Sequence, residues 1–158
     1  MAISSAIERG MTDKLPSDSG VYLFALELGH GRPVNVGSLG TVRFKKGWYV
    51  YVGSAKRGLS RRLARHMNNS RGKALRWHID FLRNRARAVR AFLIPTRLDL
   101  ECRLARDVAA IAAEMVPRFG CSDCSCPSHL FRFEVDPLDE PRFVGLLRRY
   151  KHRIAIGK

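Results

Sequence analysis

A chain of 158 residues suits one domain with a substantial core, and 46% hydrophobic with 27% charged residues excludes a disordered or low-complexity chain. Its 29 Lys and Arg outnumber 14 Asp and Glu, a formal net charge of +15 at pH 7 that favours polyanionic partners, nucleic acid foremost. No apolar run reaches bilayer-crossing length and Glu8 interrupts the start before a leader-like stretch forms, so a cytoplasmic protein with no membrane partner and four reduced cysteines is expected.

Residues 1 to 19 read as a polar entry that closes in a turn from Pro16 to Gly20. Val21 to Leu28 is rich in apolar strand formers and predicts the first strand. Gly29 to Pro33 breaks it. Val34 to Val36 and Thr41 to Phe44 then predict a small hairpin, and Lys45-Lys46-Gly47 turns the chain into a central strand, Trp48 to Val52. If the first and central strands pair, Tyr22 and Tyr51 can share one sheet face, because side chains alternate along a strand.

After Gly53 the period changes. Leu59, Leu63 and Met67 recur every four residues and predict an amphipathic helix with Ser60 near its start and Arg61, Arg62, Arg65 and His66 on its other faces. A second helix is expected with Leu75, Ile79 and Leu82 as its buried stripe. Ala88 to Ile94 predicts a third strand, stopped by Pro95, and Leu100 to Met115 a helix closed by Pro117. A cysteine-bearing loop follows from Gly120 to Ser128, then a strand from Leu130 to Val135 and a basic helix from about Pro141 to 153. No repeat or interdomain linker interrupts this order. The expected fold is a single α+β domain over 1–158, its core about 16–135, with a small, mainly antiparallel three-stranded central sheet flanked by helices and an extra hairpin.

Between Lys56 and Arg90 stand twelve basic residues and one acid, Asp80. Such a run is often only a solvated face. Its place directly after the tyrosine strand makes Lys56, Arg57, Arg61, Arg65, Arg71, Lys73 and Arg76 candidates for phosphate contact, with salt-dependent affinity for nucleic acid.

The ordered set Gly20-Val21-Tyr22, Tyr51-Val52-Gly53, Arg62 four residues before His66, and Glu101 on a later helix resembles the GIY-YIG nuclease superfamily. Trp77-His78-Ile79-Asp80, Glu101-Cys102 and the stretch from Phe119 to Phe131 look like its small, stand-alone Uri-type branch. The resemblance spans roughly residues 16 to 135, with Val for Ile in both tyrosine motifs and Ser54 where some relatives carry lysine. It implies a three-stranded antiparallel sheet and metal-dependent hydrolysis of DNA phosphodiesters with Mg2+ or Mn2+. Tyr22 and Tyr51 become the site's phenols, Arg62 and His66 their helical partners, and Glu101 the metal ligand. Hard divalent cations take oxygen ligands and keep waters, so one carboxylate can suffice when substrate phosphate completes the shell. Tyr22 is favoured as general base and Tyr51 as positioning donor. Taken singly, both tyrosines also read as strand aromatics, His66 as a helix C-terminal cap and Glu101 as an N-terminal helix acid. The rival to an enzyme is a nucleic-acid-binding module on the same scaffold. DNA of unspecified strandedness is the expected partner, RNA a weaker candidate, and oligomeric state is not encoded legibly.

Cys121, Cys124, Cys126 and His129 form C-x-x-C-x-C-x-x-H, three soft donors and an imidazole that could hold zinc. Four ligands in nine residues must wrap an ion tightly, so a loop filled by small reduced thiols is preferred here and zinc kept as its alternative. Asp123 and His129 could instead reach the active site. His78 is a candidate for supporting a site residue from behind or for contacting DNA.

Overall fold

The structure, a computed structural model, describes residues 18–68, 75 and 77–156. Residues 1–17 of the predicted entry over 1–19 and the candidate phosphate contacts Arg71, Lys73 and Arg76 lie outside those residues.

Strand β1 (Gly20–Leu28) is buried along almost its whole length, which explains a sequence without strict polar alternation. It lies between β4 (Gly47–Ala55) and β5 (Ala88–Pro95), antiparallel to both. This trio is the expected three-stranded centre. Two further strands, β6 (Glu114–Met115) and β7 (Leu130–Phe133), extend it to a five-stranded sheet in the order β5-β1-β4-β7-β6. The predicted hairpin forms separately from β2 (Arg32–Asn35) and β3 (Thr41–Phe44).

Alternation along β1 and β4 divides the core. Val21, Leu23, Ala25, Val50 and Val52 face helix α3 (Glu101–Ala109) and the C-terminal helix α4 (Pro141–Ile156), where Leu104, Val108, Phe143, Leu146 and Tyr150 are buried. Tyr22, Phe24, Leu26, Tyr49 and Tyr51 face the opposite layer, made by α1 (Leu59–Met67), α2 (His78–Arg83), the hairpin and Phe119. Each fully buried Leu or Phe is worth about 1.5–3 kcal/mol, so two packed faces hold the central strands firmly. Among the described residues no helix is long and apolar enough to cross a membrane.

Two predicted helices are shorter than their patterns suggest. Helix α3 ends at Ala109, and residues 114–115 join the sheet: Ala113 N–H donates to the Arg132 carbonyl at 2.9 Å and Val116 N–H to the Leu130 carbonyl at 2.9 Å. Pairing with β7 thus overrides a high local helix propensity. Helix α2 starts at His78, so Leu75 precedes it and is exposed rather than part of a buried stripe. Helix α1 begins at Leu59 as expected, but its cap comes from far away in sequence. The Asp18 carbonyl accepts the Leu59 N–H at 3.0 Å, and the Asp18 carboxylate accepts the Ser60 N–H at 3.0 Å and the Ser60 hydroxyl at 2.7 Å.

Candidate active site

The antiparallel register pairs Tyr22 with Gly53 and Phe24 with Tyr51. Both phenols therefore stand on one face, with ring centroids 6.3 Å apart. The glycines of the two motifs have a steric role. A Cβ on Gly53 would overlap the Tyr22 phenol, and one on Gly20 would overlap the Ile94 carbonyl of β5. Gly120, with φ +72°, lies against Tyr51, where a Cβ would approach the ring to 2.8 Å.

These phenols form the floor of a cleft of about 450 Å³ whose walls include Ser54, Arg62, Trp77, His78, Glu101 and Asp123. Arg62 projects from α1 and donates to the Ser54 carbonyl, while its guanidinium lies 5.2 Å from the Trp77 ring centroid. Glu101, the first residue of α3, accepts a hydrogen bond from the Ser54 hydroxyl and lies 3.1 Å from His129 Nδ1. Its side chain keeps 28% exposure. Burial pushes the Glu101 carboxyl up, but hydrogen bonds from His129 and Ser54, with the charges of His129 and Arg62, outweigh it and leave the group below the ordinary range. Glu101 is thus ionised at neutral pH. Tyr22 and Tyr51 go the other way, each raised by burial first, with the neighbouring Tyr51 adding to Tyr22 and the neighbouring Glu101 adding to Tyr51.

His66 occupies a different place from the other four. It is 1% exposed and sits behind Tyr22, its Nε2 2.9 Å from the phenol oxygen and its Nδ1 3.9 Å from Asp80. It does not line the cleft and is no helix cap. Asp80 is fully buried and receives Arg65 at 2.9 Å and the Trp77 N–H at 3.1 Å. Arg65 was expected to face phosphate; its guanidinium is instead committed to Asp80 and stacked 4.7 Å from the Trp77 centroid. Lys56, Arg57 and Arg61 are exposed.

Sequence reasoning under-used several of these groups. Asp80 had a visible signal, being the one acid in a basic run. Ser54 appeared as a missing lysine, yet it bridges Arg62 and Glu101. His78 accepts the Gly120 N–H on Nδ1 at 2.9 Å and so pins the cysteine loop beside the cleft. Burial lowers its pKa, in keeping with a neutral acceptor. Asp123 and His129 do reach the site, as one reading allowed. The cysteine set needs correction: among the described residues, the cluster with metal-ligand spacing is Cys102, Cys124, Cys126 and His129. Cys121 is outside it and donates to the Phe119 carbonyl at 3.2 Å.

Comparison with curated proteins and with solved structures gives no match. A family model does match, over residues 21–148, which takes in both tyrosine strands, the cleft and the cysteine loop. The chain therefore belongs to the family described as domain of unknown function DUF123, a GIY-YIG-like family.

Proposed function

We propose that the chain is a divalent-cation-dependent endonuclease that hydrolyses phosphodiester bonds in DNA, of the Uri-type GIY-YIG kind. One observation carries this reading: Tyr22, Tyr51, Arg62 and Glu101, drawn from four separate elements, line one cleft. The donor set fits a hard cation, since Glu101 offers an ionised, partly exposed carboxylate. Bound there by Glu101, Mg2+ or Mn2+ would polarise phosphoryl oxygens as a Lewis acid.

The remaining chemistry belongs to the chain. Arg62 presents a planar donor fork to a phosphate seated in the cleft, neutralising charge that grows on its oxygens. Burial keeps the Tyr22 phenol protonated, so Tyr22 accepts a proton from attacking water only as it passes its own to His66 Nε2, 2.9 Å away. Asp80 stabilises the imidazolium from the other side of the ring. As water oxygen bonds to phosphorus, the bond to the leaving sugar oxygen breaks, and that oxygen keeps the electron pair and takes a proton from bulk water. Tyr51, whose side chain abuts both Tyr22 and His66, is left as a positioning donor.

The test is cleavage of single-stranded, duplex and branched DNA by the wild-type protein, with Mg2+ or Mn2+ added or omitted. Cation-dependent nicking of at least one substrate is expected. Salt-sensitive binding with no cleavage of any substrate would replace this reading with the nucleic-acid-binding module.

A further inference from the structure

We infer that Cys102, Cys124, Cys126 and His129 form a structural zinc site that buttresses the cleft. Their ligand atoms all lie within 4.8 Å of one another. Tetrahedral zinc, with Zn–S of about 2.3 Å and Zn–N of about 2.0 Å, places its ligand atoms roughly 3.4–3.8 Å apart. The Cys124 Sγ to His129 Nε2 distance is already 3.4 Å. Closing the rest requires shifts of about 1 Å or less, within reach of side-chain torsions. Three sulfur donors and one imidazole also form the soft set that selects zinc over magnesium or calcium.

This proximity is imposed by the fold. Cys102 comes from the first turn of α3, the other three residues from the loop before β7. That loop is pinned at its base: Arg118 N–H donates to the Pro127 carbonyl at 2.8 Å and His129 N–H to the Phe119 carbonyl at 2.9 Å. His129 is also oriented for metal. Its Nδ1 faces Glu101 Oε1 at 3.1 Å and the Val52 carbonyl at 3.2 Å, so the proton belongs on Nδ1 and the Nε2 lone pair points at Cys124. A carboxylate holding the far nitrogen of a histidine is the usual outer support of a zinc ligand. Access exists too, since Cys102 and Cys126 line a second cleft of about 320 Å³. All three thiols are half-buried rather than sealed in an apolar core, which argues against their serving as mere filler.

With four protein ligands and no open position, the site is structural rather than catalytic. It would tie the first turn of α3 to the loop and hold His129 against Glu101. This consequence for cleavage rests on the proposed function; the zinc site itself does not.

The experiment measures zinc by mass spectrometry in reduced protein purified without chelator, for wild type, Cys102→Ser and Cys121→Ser. One zinc per chain is expected in wild type and in Cys121→Ser, with most of it lost in Cys102→Ser. Because Cys102→Ser could misfold, Co2+ is also added to zinc-free wild-type protein. The intense visible bands and thiolate charge transfer of tetrahedral cobalt are expected. Wild-type protein with only traces of zinc and no such spectrum overturns the site. Equal zinc loss in both variants overturns this ligand set. Neither readout needs DNA cleavage, so an inactive protein with stoichiometric zinc would count against the nuclease reading alone.

Discussion

Tyr22 shows how much one hydroxyl is asked to do. Its oxygen is buried between the cleft and His66, and its ring lies over a glycine because no other residue leaves room. Replacing Tyr22 with Phe removes the partner of a buried imidazole nitrogen and should cost about 1–3 kcal/mol in urea unfolding. The same change removes the proton acceptor, so cleavage should fall by roughly 10²–10⁴-fold. Tyr51→Phe should slow cleavage less, since the hydroxyl next to His66 would remain. Equal losses in the two variants would break the distinction between base and positioning donor. The phenols and Glu101 were legible in the sequence because their motifs are local and ordered. The service of His66 behind Tyr22 was not, because nothing in a linear spacing says whether a helical residue faces a cleft or the layer beneath it.

Helix α1 divides its arginines by face. Arg61 is exposed, Arg62 lines the cleft, and Arg65 is tied to the fully buried Asp80. Arg65→Ala would leave a buried carboxylate short of its cation and should destabilise the fold by about 1–3 kcal/mol. Arg61→Ala should change stability by no more than about 0.5 kcal/mol, while lowering DNA affinity and reducing the slope of log affinity against log salt by about 0.9. Thermal melts and fluorescence titrations at several salt concentrations separate the two. Periodicity placed α1 correctly because Leu59 and Leu63 make one uninterrupted buried stripe. It overran α3, whose Ala-rich continuation from Ala110 to Ala113 is a good helix in isolation but turns away so that Glu114–Met115 can pair with β7 as an edge strand. The C-x-x-C-x-C-x-x-H spacing grouped four candidate ligands, Cys121, Cys124, Cys126 and His129, within one loop. Cys102 was overlooked as a ligand because it arrives from another element.

Across the whole molecule, the sheet that aligns the site also buries its tyrosines. Burial raises the pKa of Tyr22, Tyr49 and Tyr51. A folded-state pKa above the unfolded value near 10 means the stability held by each protonated phenol is intact below pH 10. It is lost as pH rises through the folded value. Over that range unfolding releases protons, so stability should fall by up to about 1.4 kcal/mol per pH unit for each phenol held neutral. Absorbance of tyrosinate followed against pH should show these residues ionising together with unfolding. Early, reversible ionisation in the native state would contradict their burial. The net charge of +15 is a separate, whole-chain property, and the proposal that it draws a polyanion without reading its sequence stands on composition. Everything proposed for the cleft converges on the carboxylate of Glu101. The most direct measurement is therefore Mg2+- or Mn2+-dependent DNA cleavage by Glu101→Ala, with DNA binding measured in parallel. Cleavage reduced by at least about 100-fold, with binding within a factor of about three of wild type, is expected. Undiminished cleavage in that variant would contradict the account.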